Sequence, residues 1–333
     1  MNGTDITQHF RGQPVLVTGG LGFIGSNLAR RLVDLGARVT VLDALVPRFG
    51  GNRFNLHGYE GLLRVHTGDL RDARVVGQIL PQQAFLFNLA GQVSHLDSME
   101  DPLTDLEINC SSQLRLLEAC RRLNPDVRIV YASTRQVYGR PQSLPVSEDH
   151  PLAPVDVNGI HKLAAGCYHL LYHQVYGLRS TSLRLTNTYG PRMRVADSRQ
   201  TFLGLWLRRV IEGEEFLIFG TGCQKRDFNY VDDVVEAMLR TAIAPATEGQ
   251  VYNLGGQEIV SLLEVAKLLV ELHGAGSYRV VPFPTDRERI DIGDYAGDFA
   301  RFKTAVGWEP GVPLRSGLER TINYYEQNRK YYW

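Results

Sequence analysis

Residues 14–43 constrain the fold more than any other stretch of this chain. Pro14-Val15-Leu16-Val17-Thr18 reads as a short buried strand, and Gly19, Gly22 and Gly25 follow it at once. Phe23, Ile24, Leu28, Leu32, Val33 and Leu35 then recur at helical spacing until Gly36, which stops the helix. Arg38-Val39-Thr40-Val41-Leu42 is a second strand, and Asp43 ends it. A strand, a glycine turn, a helix and a strand within about 30 residues make a crossover unit that returns parallel to itself. Side chains at Gly19 and Gly22 would block a tight turn and the close approach of backbone to a pyrophosphate. Gly25 lets the helix pack on the sheet, and the helix N-terminus offers N–H groups and positive dipole to the phosphates.

Two further features turn this unit into a dinucleotide site. Asp43 lies eighteen residues past Gly25, where a carboxylate accepts hydrogen bonds from ribose hydroxyls. It also repels a 2′-phosphate, so NAD is favoured over NADP; Arg48 and Arg53, in the loop beyond, weaken that preference. Leu89-Ala90-Gly91 ends a later strand, and small residues there let a cofactor lie against the backbone.

The alternation continues with strands expected at 63–66, 84–89, 127–132 and 179–185 and helices at 71–79, 103–122 and 158–176. Apolar strands between amphipathic helices predict an α/β fold, a doubly wound Rossmann-type parallel sheet covered on both faces. After about residue 186 the pattern loosens, with helices expected near 201–212, 231–240, 261–273 and 314–326. This divides the chain into a cofactor domain, 1–185, and a smaller C-terminal domain, 186–333, with segments near 228–258 returning to the first. Residues 1–12 read as a frayed polar end and 44–62 as a flexible loop.

The 36 basic and 36 acidic residues cancel, which leaves no field to favour nucleic acid or a membrane surface. No apolar run approaches a membrane span and no leader is evident, so a cytoplasmic protein is expected. Cys110, Cys120, Cys167 and Cys223 form no Cys-x-x-Cys pair and have no His at metal-ligand spacing, so no metal is expected.

Four ordered motifs add a resemblance. They are Ser133-Thr134-Arg135-Gln136-Val137-Tyr138-Gly139, Asn158-Gly159-Ile160-His161-Lys162-Leu163-Ala164-Ala165, Asn187-Thr188-Tyr189-Gly190-Pro191-Arg192 and Arg226-Asp227-Phe228-Asn229-Tyr230-Val231-Asp232-Asp233. Gly307-Trp308-Glu309-Pro310 follows near the end. Together these resemble the extended short-chain dehydrogenases/reductases, specifically the nucleotide-sugar epimerases and dehydratases. The resemblance implies NAD as cofactor, a nucleoside-diphosphate sugar as substrate and a small domain closing over it. It assigns Asp69-Leu70 to adenine contact, Asn109 to bracing the central strand, Ser133 to the cofactor and Thr134 to the reacting oxygen. It assigns Lys162 to the nicotinamide ribose, Asn187 to the sugar diphosphate, and makes Arg226 and Arg289 candidates for the diphosphate. Arg289 sits in a mixed-charge stretch that also fits a solvated surface. Phe202, Leu203 and Trp206 would shape the sugar pocket. Gln92, Ser94 and His95 either line that pocket or form a plain loop. Relatives pair through helices matching 103–122 and 158–176, which implies a homodimer.

Two departures bear on the chemistry. Where the family's dehydratases carry an Asp-Glu pair after the Thr, this chain has Arg135-Gln136, and neither shuttles a proton at neutral pH. Where the family carries its Tyr base, four residues before the Lys, this chain has Asn158. Three readings stay open: another group such as His161 supplies the base, since 158, 161 and 162 share a helix face; the cofactor, Thr134 and water suffice; or the protein binds without turnover. Epimerisation through a transient keto-sugar is the favoured expectation. A reductase or dehydratase of the same fold, or a non-catalytic binder, are the alternatives.

Overall fold

Alternation along the strands sorts their side chains onto the two faces of one sheet. In a computed structural model, which describes residues 3–333, β1 (Pro14–Thr18), β2 (Arg38–Asp43), β3 (Arg64–Thr67), β4 (Phe85–Asn88), β5 (Arg128–Thr134) and β6 (Arg179–Leu185) lie parallel. A late strand, β10 (Val251–Leu254), adds to the β6 edge, which gives the order β10-β6-β5-β4-β1-β2-β3. Val15, Val17, Phe85 and Phe87 point to one face, whereas Leu16 and Leu86 point to the other. The first face is covered by α1 (Gly3–Phe10), α2 (Phe23–Asp34), α9 (Val231–Ile243) and α12 (Ala300–Val306). The second is covered by α3 (Ala73–Ile79), α6 (Ser112–Leu123) and α7 (Val157–Tyr176). This is the Rossmann-type α/β fold.

A second body holds its own apolar cluster around Leu207, Ile218, Leu269 and Leu318. It combines a three-stranded sheet, β7 (Asn187–Tyr189), β9 (Lys225–Tyr230) and β11 (Ile259–Ser261), with a pair, β8 (Glu215–Phe219) and β12 (Ser277–Val281). Helices α8 (Phe202–Glu212), α10 (Leu262–His273) and α13 (Leu314–Asn328) pack around them. Ser261 and Glu264 close a capping box at the start of α10, which satisfies its first orphan donors.

Three expectations are corrected. The segment 103–122 is not one helix: α5 (Pro102–Leu106) runs into a π-helical turn, Glu107–Ser111, before α6. Buried Asn109 sits in that turn and donates to the Gln92 carbonyl and to Asp105, so the wider turn serves a side chain that holds the β4 exit. The N-terminal segment is helical, not frayed, over its described residues. Ile6 and Phe10 lie one turn apart and are buried, with the Phe10 ring 4.8 Å from Phe85. The 44–62 loop holds two short 3-10 turns and is pinned: buried Asn55 donates to the Leu21 carbonyl and accepts from the Tyr332 hydroxyl. Among the described residues, no helix is long and apolar enough to cross a membrane, and no cluster of His, Cys, Asp or Glu could hold a metal ion.

Candidate active site

The topology reverses direction between β1 and β4, the place where parallel α/β sheets open a crevice at their carboxyl ends. A cavity of about 360 Å³ lies there. Gly19, Gly22, Phe23, Ile24 and Gly25 line it from the first turn, Asp43 from the end of β2, and Asp69 and Leu70 from the end of β3. Leu89, Ala90 and Gly91 line it beyond β4, Ser133 and Thr134 at the end of β5, and Asn158 and Lys162 from α7. The second body supplies Asn187, Arg194, Gln200 and Thr201.

Local chemistry builds each wall. Thr18 Oγ1 donates to Asn88 and accepts from the Leu89 and Ala90 amides, which staples the ends of β1 and β4. Gly19 adopts φ +72°, and a Cβ there would meet the backbone of Leu89 and Ala90 at 2.9 Å. Gly22 is the N-cap of α2 and has no side-chain acceptor to offer, so the first-turn N–H groups of α2 are left uncapped by it. Asp43 accepts from the Leu21 and Leu45 amides at 2.9 and 2.8 Å, which ties the glycine turn to β2. Burial raises its pKa more than the amides of Leu45, Leu21 and Gly22 lower it. Uncapped helix amides, a backbone cradle and a carboxylate along one groove fit a dinucleotide.

Asp105 is the hub of the opposite wall. It is buried, and its oxygens meet Asn109 at 3.0 Å, Asn158 at 3.2 Å and the His161 ring at 2.6 Å. Asn158 also donates to the Gln92 carbonyl at 2.9 Å. Lys162, one turn further along α7, is buried with Nζ 3.4 Å from the Ala132 carbonyl and 5.3 Å from the Tyr131 ring centre. Burial pulls its pKa down to about 8, against the opposing pull of Asp105. Thr134 caps the turn Arg135–Tyr138, accepting from the Gln136 amide at 3.3 Å.

Several expected site residues lie elsewhere. His161 does not line the cavity; its ring is held against Asp105, which arrives from a distant segment. Gln92 is buried behind the wall, donating to the Ser94 carbonyl, and Asn109 braces it from behind through both of its amide atoms. Ser94 is spent as the N-cap of α4 (His95–Glu100). Arg226 is buried but turned away: it bonds the Lys225 and Gly293 carbonyls and reaches Asp291 at 3.3 Å, and burial lowers its pKa to about 10. Arg289 is exposed just past α11 (Thr285–Glu288). Phe202 packs its ring on Trp206 and Phe228, inside the second body's cluster. Arg135, which the sequence offered only as a departure from the acid–base pattern, lines the cavity, donates to Asn187 at 2.9 Å and keeps a buried Nη1 without a protein partner. Of the two readings left open for His95, pocket wall or plain loop, the structure gives the first: it lines the cavity, against Asp156.

Known proteins share this fold. Residues 15–255 match the model of the NAD dependent epimerase/dehydratase family. A putative UDP-glucose 4-epimerase of Methanocaldococcus jannaschii is 30% identical over 95% of this chain and 99% of its own length. UDP-glucuronic acid decarboxylase 1 of Xenopus tropicalis is 30% identical over 94% of this chain and 72% of its own. The structure of a Thermus thermophilus UDP-glucose 4-epimerase in complex with NAD superposes with a TM-score of 0.83, at 31% identity, over 94% of this chain and 99% of that one.

Proposed function

The chain belongs to the NAD dependent epimerase/dehydratase family, and from that premise we propose that it epimerises a nucleoside-diphosphate sugar through a transient keto-sugar. NAD supplies hydride acceptance and return. The chain's part is to hold the cofactor, orient the sugar and move one proton. Gly19, Gly22 and the start of α2 hold the pyrophosphate, Asp43 the adenosine ribose, Asp69 and Leu70 the adenine, and Leu89 to Gly91 with Ser133 the nicotinamide half. Lys162 faces the nicotinamide ribose. Thr134 and Asn158 orient the reacting oxygen, and Asn187 with Arg135 meets the sugar diphosphate.

One observation carries epimerisation over dehydration. Among the described residues, the carboxylates that line the cavity are Asp43 and Asp69, both on the walls assigned to adenosine. Around Thr134 the wall carries Arg135 and Gln136 instead. Eliminating water needs an acid and a base at the sugar carbons, whereas epimerisation needs one proton carrier. Incubation with NAD and UDP-glucose, followed by NMR of the anomeric signals, is expected to yield the 4-epimer. A deoxy-keto product would instead establish dehydration, and saturable binding without any product would leave a binding protein.

Asp43 gives a separate prediction. Asp43→Ala removes the charge that repels a 2′-phosphate, so the ratio of NAD to NADP affinity should fall by about tenfold, roughly 1.4 kcal/mol. Calorimetric titration with both nucleotides measures it, and an unchanged ratio removes Asp43 from ribose recognition.

A further inference from the structure

We propose that His95 is the group that takes and returns the sugar-hydroxyl proton, with Asp156 fixing its tautomer; the inference rests on the epimerase reading above. His95 opens α4 beyond the β4 exit, and its ring lines the cavity shared with Thr134, Asn158 and Lys162. Its side chain is 32% exposed, open enough to meet a substrate and fixed enough to be aimed. Nδ1 lies 3.0 Å from Asp156 Oδ2.

Asp156 is well placed for this. It is the N-cap of α7, and its Oδ1 accepts from the Gly159 amide at 2.6 Å, so the helix start holds the carboxylate still. Its side chain is 1% exposed, and Oδ2 meets the His95 ring as an ion-pair contact with no hydrogen bond of its own. Burial pushes the Asp156 carboxyl up, but the His95 ring, the Gly159 amide and the charge of Arg135 outweigh it, leaving it below its ordinary value. An ionised carboxylate at Nδ1 makes Nδ1 the protonated nitrogen and leaves the lone pair on Nε2.

The Gln136 amide nitrogen lies 2.9 Å from Nε2 and 3.5 Å from Nδ1, so it packs against the ring rather than along the Nε2 lone pair, and Gln136 Oε1 is buried without a partner. The ring is flanked by Asp156 and Gln136 directly and by the Arg135 charge beyond Asp156. His161, by contrast, faces a carboxylate bonded by two amides and no cavity.

In the oxidative half of the reaction the sugar O–H bond breaks and an Nε2–H bond forms on His95. The electron pair of the adjoining C–H bond leaves as hydride to NAD, so the alcohol carbon becomes a ketone and the cofactor is reduced. In the return half the imidazolium gives its proton back to the carbonyl oxygen as hydride re-enters on the other face.

The NAD-loaded full chain, with UDP-glucose as substrate, tests this. In His95→Gln, kcat should fall by roughly 10²–10⁴-fold, the usual span of acid–base catalysis, while KM stays within about threefold. In His95→Gly, added imidazole should restore part of the rate. Ring NMR of the wild type without nucleotide should show the Nδ1–H tautomer for His95, and Asp156→Asn should shift that ring toward a mixture. Wild-type kcat in His95→Gln overturns the assignment and leaves the epimerase reading standing. If the wild type converts no UDP-glucose, that reading fails for this sugar and the ring measurement still decides: an Nε2–H tautomer overturns the role of His95.

Discussion

Lys162→Met should cut turnover sharply and at the same time make the nucleotide-free protein more stable at neutral pH. Lys162 is buried against the cavity, and burial brings its pKa from 10.5 down to about 8. Below about 8 the folded protein carries a buried ammonium whose desolvation is compensated only in part by Asp105. Between about 8 and 10.5 the unfolded chain binds more protons than the folded one, so this group makes wild-type stability rise with pH across that window. The shift corresponds to a penalty on the order of 3 kcal/mol at neutral pH. Methionine keeps the length and apolar stem of the side chain and removes the charge. Urea unfolding should therefore show the variant more stable than wild type at about pH 7, with the gap closing toward about pH 10. The proposed reaction loses the cationic group assigned to the nicotinamide ribose, and turnover should fall by roughly 10²-fold or more. A variant less stable than wild type at neutral pH would show that the ammonium is satisfied within the fold. Full turnover would remove Lys162 from the reaction.

The central strands were legible because they are apolar on both faces: in β1, Val15 and Val17 serve one layer while Leu16 serves the other, so any register still reads as buried. The cofactor groove was legible because glycine is demanded where backbone touches backbone, as at Gly19 against Leu89 and Ala90. Side-chain direction in the sugar half was not. His161 satisfies the helical spacing from Asn158, yet its ring is drawn to Asp105, a carboxylate brought in by another element. Arg226 stands in its motif, yet it meets the carbonyl of Gly293 and Asp291 rather than the cavity. His95 and Asp156 come from different elements, and their pairing exists only once α4 packs beside α7. Periodicity reports which face a residue occupies within its own element. It carries no information on which neighbouring charge will claim that residue, and at a polar site the claim settles the role.

Gly25→Ala should be the most disruptive single methyl in the cofactor groove. A Cβ at Gly25 would lie 2.2 Å from the Gly19 carbonyl oxygen, 2.8 Å from its carbon and 2.9 Å from Gly20 Cα. All three are backbone atoms, so no side chain can swing aside. Either α2 moves off the sheet or the turn opens, and both undo the stack of amides on which the pyrophosphate reading depends. Overpacking of this kind costs about 1–3 kcal/mol. The turn is also tied to Asp43 through the Leu21 amide, so its displacement reaches the ribose wall as well. Gly22→Ala is the informative contrast. Its Cβ would meet one atom, the same Gly19 oxygen, at 3.2 Å, which a shift of a few tenths of an ångström relieves. The expected order is therefore a large loss of stability and of NAD affinity in Gly25→Ala, and near-wild-type stability with weakened NAD affinity in Gly22→Ala. Denaturant unfolding and calorimetric NAD titration read the two quantities separately. Wild-type NAD affinity in Gly25→Ala would mean that the turn tolerates a rearranged backbone and that its contact with α2 does not shape the phosphate site. Equal destabilisation at both positions would mean that the crowding lies in the turn itself rather than between the turn and the helix.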